Sequence, residues 1–389
     1  MAATVLVIND NELLATGVFA GSLITRSILI VPHMLVPMLA CQRKPRATAC
    51  HGLANGFQGQ SDTIAPDKDP TSAAGEQALR IAIVGAGMAG LAAGTRLATA
   101  GHDVRLFDKA RGVGGRMATR RVTTSLGDAL FDHGAQYFTA RTAEFATCVN
   151  AWRQQGLVAP WPAAGEGAFV GVPSMNAPLR AMAGALDVGW DTRVDAVEPH
   201  DGGWVIRGDD LARQPFDVAI IAIPAEQAAV LLAPVDRQLA DLAAATVSAP
   251  CWTVMAAFDA PVGAAGDILA EPREPIGWAA RNCTKPGRTG PEAWVVQASP
   301  AWSIAHLEND PATVINTLLA AFADAVGGAL PRMLTVTAHR WRYARSASAG
   351  IDLLWDSDRR IGVCGDWLYG PRVEYAWLSG YRLAGAIIG

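Results

Sequence analysis

From Arg80 onward the chain alternates short, wholly apolar runs with amphipathic stretches, and that rhythm predicts its elements. Ile81 to Val84 ("IAIV") is apolar at every position, as a parallel strand covered on both faces must be, and it stops at Gly85. "MAGLAAGTRLATA", Met88 to Ala100, carries apolar and small residues at helical spacing and ends at Gly101. "DVRLF" then reads as a second strand. Further on, "VGWDTRVDAVEPHDGGWVIRG" (188–208) reads as a hairpin and "FDVAIIAIP" (216–224) as another buried strand. Near the end, "RIGVCGDWLYG" (360–370) is an apolar strand broken at Gly365-Asp366. An amphipathic helix with small residues on one face follows, "VEYAWLSGYRLAGAI" (373–387).

The first 78 residues lack this rhythm. "GVFAGSLITRSILIVPHMLVPMLAC" (17–41) is apolar but broken by Arg26, Pro32, His33 and Pro37, a poor spanning helix, and it lacks the basic start of a signal peptide. "QGQSDTIAPDKDPTSAAGEQA" (58–78) has the composition of a linker. Residues 1–78 are therefore expected to be an extension outside the fold, disordered or upstream of a mis-assigned start, with export or membrane association as the alternative.

Composition narrows the class. A 389-residue chain that is 51% hydrophobic and 17% charged is a globular protein with room for two domains. A net charge of −4 gives no reason to expect nucleic acid or an anionic membrane as partner. The six cysteines form no CxxC pair and the seven histidines show no ligand spacing, so a reduced, cytoplasmic protein without a metal is expected.

The strongest chemical signal lies in the first turn. Gly85, Gly87 and Gly90 form G-x-G-x-x-G between strand and helix. This pattern allows a tight turn, a close approach to a pyrophosphate and close helix–strand packing, with the helix start at Met88 and Ala89 facing the phosphates. Asp108 ends the second strand eighteen residues beyond Gly90, where a carboxylate accepts ribose hydroxyls and disfavours a 2′-phosphate. NADP is thereby disfavoured; FAD and NAD remain. Lys109 follows the acid, and then "KARGVGGRMATRR" adds Gly114, Gly115, Arg116 and Met117. This resembles the signature of amine-oxidase-type FAD enzymes and favours FAD.

From Arg80 to Gly389 the chain resembles the renalase-like flavoproteins. The resemblance rests on "SLGDALFDHGAQYFTAR" (125–141), "FVGVPSMNAPLRAMA" (169–183), "PIGWAARNCTKPGR" (275–288), "WVVQASPAWSIAHLE" (294–308), "HRWRYA" (339–344) and the last strand and helix. It implies a mixed α/β and α+β fold of the amine-oxidase and p-hydroxybenzoate-hydroxylase kind. A Rossmann-type FAD-binding domain (79–135, 186–235 and 330–389) would carry a discontinuous second domain on an antiparallel sheet (136–185 and 236–329). The implied cofactor is non-covalent FAD. Arg116 and its neighbours would reach the flavin side, Val194 the adenine and Asp366 the ribityl chain. Val373 and Glu374, with Tyr375, would start a helix aimed at the flavin pyrimidine, where partial positive charge favours the reduced anion.

The resemblance also makes "GAQYFTAR" one wall of a substrate pocket. Gln136, Tyr137 and Thr139 would hold a carboxamide or ribose, and Phe138 would pack on a ring. Pro173, Ser174, Met175, Trp278 and Asn282 would line the rest, with Arg372 contacting phosphate or ribose. Asp132 is expected to brace the turn before Gly134, and His133 to make a structural hydrogen bond. Arg141 meets either a phosphate or a surface partner; Trp341, Arg342 and Trp367 serve as packing. Many amine-oxidase relatives carry a lysine near flavin N5. Here only Lys285 lies beyond the FAD motif, and its Pro-Gly turn suggests an exposed loop lysine.

The implied reaction is hydride transfer from 2- or 6-dihydro isomers of NAD(P)H to flavin N5, without a general base. O2 reoxidation would then give NAD(P)+ and H2O2. The partners are thus a dinucleotide substrate and O2, with no nucleic acid and no membrane required by the fold. The alternatives are a flavin amine oxidase or desaturase-like oxidoreductase and, in another class, a non-catalytic FAD- or nucleotide-binding protein.

Overall fold

A computed structural model describes residues 78–208, 211–269 and 273–389. The expectations for the segment before Ala78 lie outside the described residues. Among those residues, no helix is long and apolar enough to cross a membrane.

The Rossmann unit forms where the pattern places it. The strands Arg80–Val84 and Asp103–Phe107 pair in parallel around the helix Met88–Thr99. Val218–Ile221 and Ile361–Val363 extend the sheet in parallel on one side, Asp187–Gly189 on the other, and Leu354–Asp356 adds an antiparallel edge. Side chains of the first strand alternate between two cores. Ile81 and Ile83 pack with Leu91, Leu106 and Leu383, while Ala82 and Val84 pack with Phe107, Trp204 and Ile221. Both faces are covered, which is why the sequence shows an unbroken apolar run. The stretch 188–208 is only partly a hairpin: its first residues join the parallel sheet, and Ala196–His200 with Gly203–Arg207 make the antiparallel pair.

A second, antiparallel sheet has five strands, in the order Ile268–Leu269, Ile276–Arg281, Glu292–Ala298, Ala249–Phe258 and Met333–Arg345. Its last strand, Met333–Arg345, lies wholly within the segment 330–389 that was expected to belong to the FAD-binding domain. One face is covered by the helix Pro311–Val326, through Val314, Leu318 and Phe322. The other meets the hairpin Thr119–Thr124 and Gly127–Asp132, whose Ala129 and Phe131 pack on Met255, Ala257 and Val295. That hairpin delivers the segment 132–137 to the sheet.

The last helix, Val373–Ile388, packs against the first so closely that a Cβ on Gly380 would lie 2.0 Å from the Ala89 carbonyl oxygen. The starts of both helices, at Gly87 and Arg372, have no side-chain cap. Their first-turn N–H groups therefore point out of the helix ends without a capping partner.

Candidate active site

The turn after the first strand needs its glycines for distinct reasons. Gly85 has φ +107°, and a Cβ there would sit 2.4 Å from the Ala222 oxygen. A Cβ on Gly90 would fall 1.9 Å from the Gly85 oxygen. Gly87 is different: no atom lies within 4 Å of its missing Cβ. Packing explains the first two, and open space at a helix start explains the third. Asp108 closes this side, accepting hydrogen bonds from the Ala86 N–H at 2.7 Å and the Ala110 N–H at 2.8 Å. Lys109 turns outward to Gln227.

Gly115 folds back over the turn, its missing Cβ 3.8 Å from the Gly87 Cα, and Met117 anchors that loop in the core. Arg116 then reaches the other end of the chain. It makes a bidentate pair with Asp366, at 2.6 and 2.8 Å, and Ser346 Oγ donates to the same carboxylate at 3.0 Å. Val194 packs half-buried beside Trp204 and Val197. Residues expected to serve one extended cofactor thus converge from 85–90, 108, 115–117, 366 and the start of the last helix. An anion-ready turn, an acid at the second strand's end and two uncapped helix starts suit a dinucleotide's pyrophosphate and polar ring edge. FAD fits this donor set.

Glu374 differs from the expected picture. Its buried carboxylate turns back to accept the N–H groups of Arg141 and Thr142, at 2.8 and 2.7 Å, and the Thr142 hydroxyl at 2.9 Å. Through Oε1 the residue ties the end of the segment 132–141 to the last helix, while its Oε2 is buried and, among the described residues, has no hydrogen-bond partner.

The segment 133–137 lies across the antiparallel sheet. Strand register places Trp278, Gln297, Thr253 and His339 in one row over four strands, and paired residues share a face. Each end of the segment meets this row. The His133 and His339 rings are 5.0 Å apart, Gln297 Nε2 donates to the Gly134 oxygen at 2.9 Å, and the rings of Tyr137 and Trp278 lie 5.9 Å apart. His133 also stacks on Trp341, whose Nε1 donates to the His133 oxygen at 2.8 Å. Burial, then the nearby His339 and Arg120, lowers the His133 pKa to about 4. The residue is a neutral packing group; a backbone hydrogen bond with Phe131 works against the shift without overcoming burial, and among the described residues Nδ1 has no close partner.

Several expected substrate contacts are corrected by burial. Phe138 is 3% exposed and packs on Phe145 and Phe169 in the core, so its ring is turned away from any ligand. Gln136 spends its amide internally: Nε2 donates to the Asp132 oxygen and Oε1 accepts from Lys285. Asn282 is fully buried, bridging the Leu130 oxygen and the Asp132 N–H. Ser174 bonds to Asn176, and Met175 is fully buried with its N–H on Thr119 Oγ1. Tyr137 (36% exposed), Thr139, Trp278, Pro173 and Arg372 keep accessible surface. Among the described residues Trp278 Nε1 has no hydrogen-bond partner, and Arg372 lies 5.6 Å over the Tyr375 ring.

Lys285 overturns its expectation outright. It is 1% exposed, its Nζ 3.2 Å from Asp132 Oδ2 and 4.9 Å over the Trp161 ring. Arg288 shares the same carboxylate at 2.5 Å, and Thr119 Oγ1 donates to its other oxygen. Asp132 is therefore the hub of a buried cluster rather than a simple turn brace. Burial works to raise its pKa, but Lys285, Arg288 and the hydrogen bonds outweigh it and hold the group at about 2. Burial lowers Lys285 to about 8 despite Asp132. Sequence reasoning missed Lys285, Arg288, Thr119 and Gln297 as site-building residues. A Pro-Gly turn flanked by two cations was the only available sign.

Comparison with known proteins agrees with this fold. Residues 83–150 match the model of an NAD(P)-binding Rossmann-like domain, and residues 156–388, more than half the chain, match that of the flavin containing amine oxidoreductases. A crystal structure from Exiguobacterium sp. 255-15, assigned as a protoporphyrinogen oxidase, superposes with a TM-score of 0.65 at 13% identity. It covers 81% of this chain and 99% of that one. Cyclohexylamine oxidase from Brevibacterium oxydans IH-35A gives 0.61 at 13% identity over 80% and 99%. A Staphylococcus aureus (strain Newman) 4,4'-diapophytoene desaturase (4,4'-diaponeurosporene-forming) is 54% identical over 39 residues, 10% of this chain and 8% of that protein. The two structural likenesses concern the fold; the desaturase match is confined to a short stretch.

Proposed function

Since this chain belongs to the flavin containing amine oxidoreductases, we propose that it is an FAD-dependent oxidase that removes a hydride from a carbon bonded to nitrogen, with a small amine as first substrate class. FAD, when bound, supplies the hydride acceptor. The observation that carries this reading is the commitment of the ionisable groups around the wall segment. Asp132, Lys285 and Arg288 are buried and paired, and His133 is buried and neutral. Tyr137, Thr139 and Trp278 are left to meet a substrate. Such a wall positions a donor and keeps water off it; it offers no strong base. Hydride loss from the carbon of a neutral amine, whose nitrogen lone pair becomes the iminium bond as the C–H bond breaks, needs that positioning above all, the ammonium proton having gone to water before binding. The name of the cyclohexylamine oxidase neighbour is in keeping with this class.

A second reading is favoured by the Tyr137–Trp278 ring pair, which suits a planar ring. In that reading the donor is a 2- or 6-dihydro isomer of NAD(P)H, the product is NAD(P)+, and O2 is the final acceptor. Anaerobic mixing of the FAD-loaded protein with cyclic and linear amines, 2- and 6-dihydroNAD and ordinary NADH tests both. Bleaching of the flavin band by an amine is the expected result. Bleaching by a dihydro isomer alone moves the chain to the second reading, and a flavin that none of them reduces contradicts both.

A further inference from the structure

The cluster beneath the wall segment is unbalanced in charge. The side chains of Asp132, Lys285 and Arg288 have no exposed surface, and one carboxylate answers two cations. Arg288 directs NH1 to the carbonyl oxygens of Gly171 and Pro286 and NH2 to Asp132. Lys285 divides its donors between Asp132 Oδ2 and Gln136 Oε1, each at 3.2 Å. A buried net charge is costly unless hydrogen-bond acceptors around it compensate, and here these include the Gln136 amide oxygen.

The neighbour it serves is Gln136. The NH2 end of that amide is fixed on the carbonyl oxygens of Asp132 and Gly134, so Oε1 must face the other way, and Lys285 is the donor it meets there. The backbone just before it is also constrained. The Ala135 N–H donates to the Arg116 oxygen at 2.8 Å, and a Cβ on Gly134 would lie 2.0 Å from that same oxygen. Tyr137 comes next, 5.9 Å from Trp278. A movement of Gln136 is therefore transmitted to Tyr137 on one side and to the Arg116–Asp366 pair on the other.

We propose that Lys285 is a positioning residue for the oxidase reaction, its positive charge orienting Gln136 and thereby fixing the course of the segment 133–137 between the Arg116–Asp366 pair and the Tyr137–Trp278 corner. This rests on the reading that Tyr137 faces substrate. The charged groups that bear on Lys285 are Asp132, from the hairpin, and Arg288, from its own turn. The remaining contacts of Nζ, Gln136 and Trp161, do not titrate.

Burial puts the Lys285 pKa at about 8, so the wild type loses the orienting charge just above neutrality. An arginine at that position stays charged. The experiment follows the visible circular dichroism of the FAD-loaded protein from pH 6.5 to 9.5 without substrate, and then KM and kcat over the same range. The wild type is expected to show a step in the flavin signal centred near pH 8, with KM rising about tenfold across it and kcat changing less than about twofold. Lys285→Arg is expected to keep the low-pH signal and KM throughout; Lys285→Met is expected to show the alkaline signal at every pH. A step that persists in Lys285→Arg, or a Lys285→Met protein with the wild-type signal and KM at pH 7, overturns the proposal. If Lys285→Met does not fold, the wild-type and Lys285→Arg profiles decide between them. The spectral step needs no turnover, so an inert substrate panel counts against the functional reading alone.

Discussion

His133 stacks on Trp341 at 5.2 Å and meets His339 edge-on at 5.0 Å, and burial among these neighbours draws its pKa down to about 4. A group whose folded pKa is depressed in this way favours the neutral form in the folded state. The unfolded chain takes up the proton first, so stability is full above the ordinary value of 6.5 and falls as pH drops toward 4. The loss is roughly 3 kcal/mol at 1.4 kcal/mol per unit. His339 is shifted in the same direction by the same burial. Urea midpoints at pH 7.5 and 4.5 check this: His133→Phe is expected to reduce the difference between them markedly, and an unchanged difference contradicts the assignment. The polar letters of "FDHGAQYFTAR" marked the segment as a candidate site wall, but the contacts of its individual residues were not legible. Asp132, His133 and Gln136 point inward because distant residues, Lys285, His339 and Trp341 among them, meet them in space.

At the scale of elements, the first turn and the two helices beside it carry the cofactor prediction. Gly87→Ala places a methyl group in open space, so folding stability is expected to stay within about 0.5 kcal/mol while FAD retention falls, because the methyl occupies the cradle. Gly90→Ala forces a methyl to 1.9 Å from a carbonyl oxygen and is expected to destabilise the fold by about 1–3 kcal/mol or more. Denaturant titration and flavin content of the purified variants separate the two effects. A Gly87→Ala protein that retains full flavin contradicts the cradle. The Rossmann strands and helix were readable because their pattern and contacts are local, with Asp103–Phe107 soon after Arg80–Val84. Asp187–Gly189 was missed as a sheet strand because its partner lies far back in the chain, at 105–107. The row Trp278–Gln297–Thr253–His339 was equally hidden, since register between distant strands leaves no trace in any one of them.

For the whole molecule, the two largest sheets divide the work. The parallel sheet, with its uncapped helix starts, carries the Rossmann-like unit, and the antiparallel sheet carries the row against which the segment 133–137 lies. The fold class and the FAD assignment were legible from the motifs together with the family resemblance they carry; the substrate was not, because the segment 133–137 presents aromatic surface rather than a reactive pair. Tyr137 is the accessible ionisable group on the segment 133–137, which makes it the decisive position. The most direct measurement is the anaerobic rate of flavin reduction at saturating substrate in Tyr137→Phe. A wall that only positions the donor predicts a rate within about threefold of wild type, whereas loss of a general acid or base costs about 10²–10⁴-fold. A drop of that larger size would contradict the account.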